Sequence, residues 1–245
     1  MPILKNFVAV DWRSGKDAIH FFFKDTNKYS RFNIGDNEVP DGYPSDISNN
    51  NWKALHPHIK NLRFGFTTTN MFDGNHHWLD ADSSWLFFYK DNVPTVCKYD
   101  QDADKVIYIK PVLETAWRPL LPFFPLIVAG TWWQTSDVDS AHFRFLMSDG
   151  YYLSVDYKAV CINDTSYWKI PEAERDEITD CTWPGLAKYK DRIITAVQND
   201  RSFADNYYYI FLTNNEYIRY NMDKNKADSA PIKVDDISWP GLLRD

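Results

Sequence analysis

Six histidines, three cysteines and 34 acidic residues are the groups in this chain from which a reactive site could be assembled. The histidines are His20, His56, His58, His76, His77 and His142. His56-Pro57-His58 and His76-His77 invite a metal or haem reading, because neutral imidazole is a common metal ligand. Neither pair matches a known ligand spacing well, and adjacent residues on a strand point to opposite faces. Asp11 and His77 each hold the third place of a short stretch ending in Trp, Ala9-Val10-Asp11-Trp12 and Asn75-His76-His77-Trp78. A cation held between them is the one metal site the pattern suggests. Cys97 falls at an apolar strand position, a poor place for a nucleophile. Cys161 and Cys181 stand about 20 residues apart, and an odd cysteine count cannot pair fully within one chain. No Gly-x-Ser-x-Gly, phosphate-binding Gly-rich loop or His-Glu-x-x-His occurs. The acidic run Glu172 to Glu177 reads as a solvated face. The residues therefore favour binding over catalysis.

Composition points to strands. Aromatic residues make up 17% of the chain, with 10 Trp, 15 Tyr and 16 Phe, and such side chains fit a pleated, half-buried surface. A net charge of −7 without a basic stripe argues against nucleic acid. It suits cationic ligands or plain solubility. The apolar stretch Leu120 to Val128 is broken by Pro122 and Pro125, well short of the ~20 residues that cross a membrane. The first residues carry no apolar leader. The expectation is a soluble protein of the cytoplasm or another reducing compartment, where the sequon Asn163-Asp164-Thr165 has no use.

One unit recurs four times. An apolar strand reads Ile19-His20-Phe21-Phe22-Phe23, Trp85-Leu86-Phe87-Phe88, His142-Phe143-Arg144-Phe145-Leu146 and Tyr208-Tyr209-Ile210-Phe211. A second strand follows, with the pattern apolar, any, polar, apolar, Asp or Asn: Tyr29 to Asn33, Val96 to Asp100, Tyr152 to Asp156 and Tyr217 to Asn221. Period-two alternation of this kind marks a strand with one buried face. Each unit closes on Trp with Leu three residues on: Trp52/Leu55, Trp117/Leu120, Trp183/Leu186 and Trp239/Leu242. Ile47, Val112 and Ile178 precede three of these Trp residues by five, which suits a short helix. A leading strand opens each unit: Ala9 to Trp12, Asn75 to Trp78, Ala129 to Trp132 and Thr195 to Gln198. Internal repeats of this length signal an array whose units bury one another. The predicted fold is all-β, a single domain over 1–245: a four-bladed β-propeller. Each blade is a four-stranded antiparallel sheet with a short helix, over about 6–67, 68–127, 128–190 and 191–245.

These residues resemble hemopexin-like repeats. Tyr29-x-Arg31-Phe32-Asn33, Tyr217-x-Arg219-Tyr220-Asn221 and Tyr43-Pro44-Ser45-Asp46-Ile47 carry the resemblance, which covers the whole chain. The chain is most similar to the stand-alone propellers of that family, the hemopexin-type seed albumins of legumes and the photopexins of insect-associated bacteria. It departs from the family in two ways. No cysteine lies near either terminus to clamp the ring. The leading strands lack the Asp that opens the family's Asp-Ala-Ala-Phe.

In a propeller the leading strands line a central channel. Ala9, Asn75, Ala129 and Thr195 then form one channel-facing set, and Asp11, His77, Thr131 and Val197 the alternative. The second set makes Asp11 and His77 the candidate metal ligands, for Ca or Na with help from backbone carbonyls. No cofactor is required. The resemblance implies a small cationic ligand such as a polyamine, or haem. The other reading is a carbohydrate-binding lectin or a toxin-associated surface binder, with exposed aromatics beside Asn and Asp. The recurring Trp residues are expected in the core between blades rather than as sugar platforms. Blade edges offer a route to a homodimer.

Overall fold

The computed structural model describes residue 4 and residues 6–69, 82–133, 140–158, 171–199 and 206–244. It is a four-bladed β-propeller built from four antiparallel sheets. Blade one holds β1 (Phe7–Trp12), β2 (Ala18–Phe23), β3 (Lys28–Asn33) and β4 (Ser45–Asp46). Blade two holds β5 (Leu62–Thr68), β6 (Ser83–Lys90), β7 (Val93–Asp100) and β8 (Lys105–Pro111). Blade three holds β9 (Ile127–Trp133), β10 (Ser140–Met147), β11 (Tyr151–Lys158) and β12 (Glu174–Glu177). Blade four holds β13 (Ile193–Asn199), β14 (Tyr207–Leu212) and β15 (Glu216–Asn221). Its outer position is split between β16 (Lys226–Ala227) and β17 (Ile232–Lys233), both paired with β15.

Burial falls from the axis outward. The two inner strands are packed by neighbours on both faces, so β1, β2 and β6 are almost wholly buried and mostly apolar. The outermost strands are exposed, and every residue of β12 is. The innermost strand of blade two is β5, not Asn75–Trp78, which lie outside the described residues. β5 carries no Trp, the landmark that drew the eye downstream.

The innermost strands β1, β5, β9 and β13 pack around the axis, and small residues set how closely. Ala9 packs in the core shared with blade four, and Ala196 in the core shared with blade three. A Cβ on Gly65 would lie 2.9 Å from Val10 of blade one, and one on Gly130 2.8 Å from Phe66 of blade two. These four positions are equivalent, each facing the preceding blade. Trp12 therefore corresponds to Thr68, Trp133 and Asn199, one residue beyond the Trp132 and Gln198 suggested by Trp matching.

The closing turns repeat as well. Trp52, Trp183 and Trp239 each donate a backbone bond to the residue four before, Ser48, Thr179 and Asp235. Those three side chains accept backbone N–H bonds at the head of the turn, as helix caps do. Val234 fills the apolar place five before Trp239, completing the set with Ile47, Val112 and Ile178, all buried. Among the described residues the ring is shut by hydrogen bonds. Val39 N–H donates to Pro240 O at 2.9 Å, Leu4 N–H to Asn215 Oδ1 at 2.8 Å, and Arg244 reaches Val39 O at 3.2 Å.

Candidate functional site: the four interblade seams

The N-terminal ends of the axial strands are apolar, with Phe7, Leu62, Ile127 and Ile193 buried. Polar groups gather at their C-terminal ends. Asp11 accepts from Thr67 N–H at 3.0 Å and from Arg13 Nε at 2.9 Å. Gln101 takes the Arg13 N–H at 2.7 Å and donates to Ser84 Oγ at 2.7 Å. Thr131 donates to Gln198 Oε1 at 2.9 Å, and Gln198 to Asn206 at 3.0 Å. The buried carboxylate of Asp11 thus has a guanidinium and an amide as partners, which stabilises its charge.

Of the residues proposed for the axis, Ala9 and Val197 pack in the core between blades four and one, and Ala129 in that between three and four. Thr195 is buried with its hydroxyl unbonded. Asn75 and His77 lie outside the described residues, as do His76 and Cys161. Among the described residues no group of three His, Cys, Asp or Glu is placed to hold a metal. Of the remaining histidines, His58 stacks on Phe88 at 4.7 Å and His142 bonds Asp156 at 2.8 Å. Burial pushes the Cys97 thiol up to about 12, so it stays protonated and inert.

Each seam between blades is organised around one closing Trp. In seam one–two, Trp52 meets His20 at 5.2 Å, Trp12 at 6.2 Å and Tyr99 at 6.2 Å. In seam two–three, Trp117 meets Trp85 at 5.2 Å and Tyr157 at 5.9 Å. In seam three–four, Trp183 meets Trp133 at 5.5 Å and Tyr220 at 5.1 Å. The Arg144 guanidinium lies 4.1 Å from the Trp133 ring and 5.5 Å from that of Trp183. In seam four–one, Trp239 meets Tyr209 at 5.2 Å and Phe32 at 4.7 Å. Strand pairing confirms the correspondence: His20, Trp85, Arg144 and Tyr209 stand opposite Val10, Phe66, Thr131 and Val197.

Seam four–one differs at two of these places. Where seams one–two and three–four set Trp12 and Trp133, it has Asn199, which donates to the Tyr209 hydroxyl at 3.3 Å. Where they set Tyr99 and Tyr220, it has Phe32. Each of those tyrosines bonds the side chain five residues on, Asp104 and Asn225, and both of those residues have positive φ. Asn37, five after Phe32, has the same left-handed backbone, φ 55°. Phe32 offers it no hydroxyl, and its side chain borders a cavity instead.

That cavity has a volume of about 170 Å³. Trp239, Tyr209, Tyr217 and Phe32 form its aromatic walls, and Asn37, Ser238 and Arg219 its polar ones. Tyr209 and Tyr217 stand edge-on to the Trp239 ring, at 79° and 80°. Ser238 Oγ donates to Lys233 O at 2.7 Å and accepts from Asp235 N–H at 3.1 Å, which leaves one lone pair. Burial raises the Tyr217 hydroxyl above its ordinary value, so it remains a donor at neutral pH. Arg219 lies 4.7 Å from the Tyr207 ring and 3.8 Å from Asp228 Oδ2. No protein-family model matches the chain, and no curated protein matches its sequence. Sequence reasoning aimed at the axis and missed this seam. The signal was the spacing Tyr99/Asp104 and Tyr220/Asn225 against Phe32/Asn37.

Proposed function

We propose that the protein is a non-enzymatic carbohydrate-binding propeller whose ligand seat is the cavity of seam four–one. The observation that carries this reading is a small aromatic-walled cavity with Asn and Ser at its edge, at a place where two other seams are occupied by Trp and Tyr. Aromatic faces suit the C–H surface of a pyranose ring, and amide and hydroxyl groups suit its hydroxyls. The aromatic side chains shape the recess, and polar groups supply most of its open lining.

Other ligands fit less well. Haem needs a pocket in the range of about 300–1,000 Å³ usual for large ligands, more than this cavity offers. A polyamine would gain from the aromatic rings. However, Arg219 is the only ionic side chain bordering the cavity among the described residues, and it repels an ammonium group. The axial cation expected between Asp11 and His77 would compete with Arg13 for Asp11.

Trp fluorescence titration with a panel of monosaccharides, alongside a glycan array, tests the proposal. Saturable quenching by a sugar, abolished by Asn37→Trp, supports it. Silence across the panel and the array, or quenching that survives Asn37→Trp, removes it. Spermine serves as the competing ligand, and saturable binding of spermine alone would reverse the preference.

A further inference from the structure

Seam four–one also differs from seams two–three and three–four in where its cation sits. Arg31, Lys98, Ser154 and Arg219 are equivalent, paired across from His20, Trp85, Arg144 and Tyr209. In seam two–three the Lys98 ammonium lies 5.3 Å from the Trp85 ring. In seam three–four the cation comes from Arg144, which is wedged between two indoles and donates to Asn225 at 3.2 Å. Both cations are absorbed into the seam itself. Arg219 is not. It leans outward over Tyr207, its side chain 45% exposed, with Asp228 at 3.8 Å as its nearest carboxylate. That distance is too long for a hydrogen bond. A guanidinium presents a planar fork of donors that matches a carboxylate with two parallel bonds. Arg219 also borders the cavity, and nearly half of its side chain is exposed.

We infer that the cavity selects a ring bearing a carboxylate, an acidic monosaccharide of the hexuronic acid type, with Arg219 gripping the carboxylate and Tyr209 and Trp239 flanking the ring. The inference rests on the reading of the cavity as a sugar seat and adds its charge preference. Asn37, on the opposite blade, and the remaining lone pair of Ser238, on the closing turn, serve the ring hydroxyls. Among the described residues Arg219 makes no buried side-chain hydrogen bond, so its replacement is expected to leave the fold intact.

The test is calorimetric titration of the full chain with glucuronate, its neutral isostere glucuronamide, and glucose, repeated on Arg219→Gln. Glucuronate is expected to bind at least about tenfold more tightly than the other two. Arg219→Gln is expected to weaken glucuronate by about ten- to a hundredfold, the worth of a charge-assisted hydrogen bond, and to leave glucuronamide unchanged. Raising the salt concentration narrows the preference in the parent protein only. Equal binding of all three sugars, indifferent to Arg219→Gln, overturns the acidic preference and leaves the sugar seat standing. Binding of none of the three removes both. An unchanged melting temperature for Arg219→Gln shows that any lost affinity is local.

Discussion

Seams one–two and four–one are built on the same plan and end differently. Both set a closing Trp against an aromatic of the next blade. In the first, Trp12, His20 and Tyr99 crowd around Trp52, and Lys53 reaches across to Asp104, which also accepts from Tyr99. In the second, Asn199 and Phe32 stand in for Trp12 and Tyr99, and a cavity of about 170 Å³ remains. A fourfold ring requires equal wedges, but it does not require each to be filled by protein. The places where one copy drops a large or polar side chain are where a repeat fold can acquire a site at little cost to its frame.

The comparison can be broken first at the closing Trp residues. Trp117 is fully buried, so Trp117→Ala should cost about 3–5 kcal/mol. Trp239→Ala should cost less, because its seam already contains space that water can enter. Urea denaturation of the two variants checks the order, and equal losses would show seam four–one to be as tightly packed as the rest.

Gly130→Ala comes next. Its Cβ would lie within 2.9 Å of Phe66 and Phe145, and overpacking of this kind costs about 1–3 kcal/mol. The same experiment on Gly35, which has open space around it, should show a far smaller change.

His20 gives seam one–two a pH dependence of its own. Burial, with Arg31 adding to it, lowers the His20 imidazole from 6.5 to about 3. The unfolded chain therefore binds a proton that the folded chain refuses. The contribution is fully present above pH 6.5 and is lost as pH falls towards 3, at up to about 1.4 kcal/mol per pH unit. His20→Phe should flatten the stability profile between pH 6.5 and 4. Thermal melts across that window test it, and an unchanged slope would mean that His20 is not the group responsible.

Phe32→Tyr should have the smallest effect on stability, within about 1 kcal/mol. It restores the hydroxyl found at Tyr99 and Tyr220, within reach of Asn37. Ligand affinity should fall as the cavity narrows, and a titration on the variant with affinity unchanged would place the ligand elsewhere.

Much of this architecture was legible in the chain. The apolar second strands, the alternating third strands and the Trp-x-x-Leu closures define four units, because core strands and turns must keep their apolar faces whatever else varies. The outer strands were not legible. Ser45–Asp46, Glu174–Glu177 and Lys226–Ala227 are largely exposed and carry no pattern. The register of the leading strands was also hidden. It is set by Ala9, Gly65, Gly130 and Ala196, where neighbouring blades press closest, whereas Trp12 and Trp132 look alike in sequence and sit one step apart in the ring. The seat in seam four–one could have been found only by comparing Phe32 with Tyr99 and Tyr220 once the blades were superposed.

The central claim is that seam four–one is left open to receive a ligand. It can be tested by fluorine NMR of protein labelled with 5-fluorotryptophan, titrated with glucuronate. The resonance of Trp239 should shift saturably while those of Trp52, Trp117 and Trp183 stay in place. Equal shifts at all four, or a shift confined to one of the other three, would contradict the account.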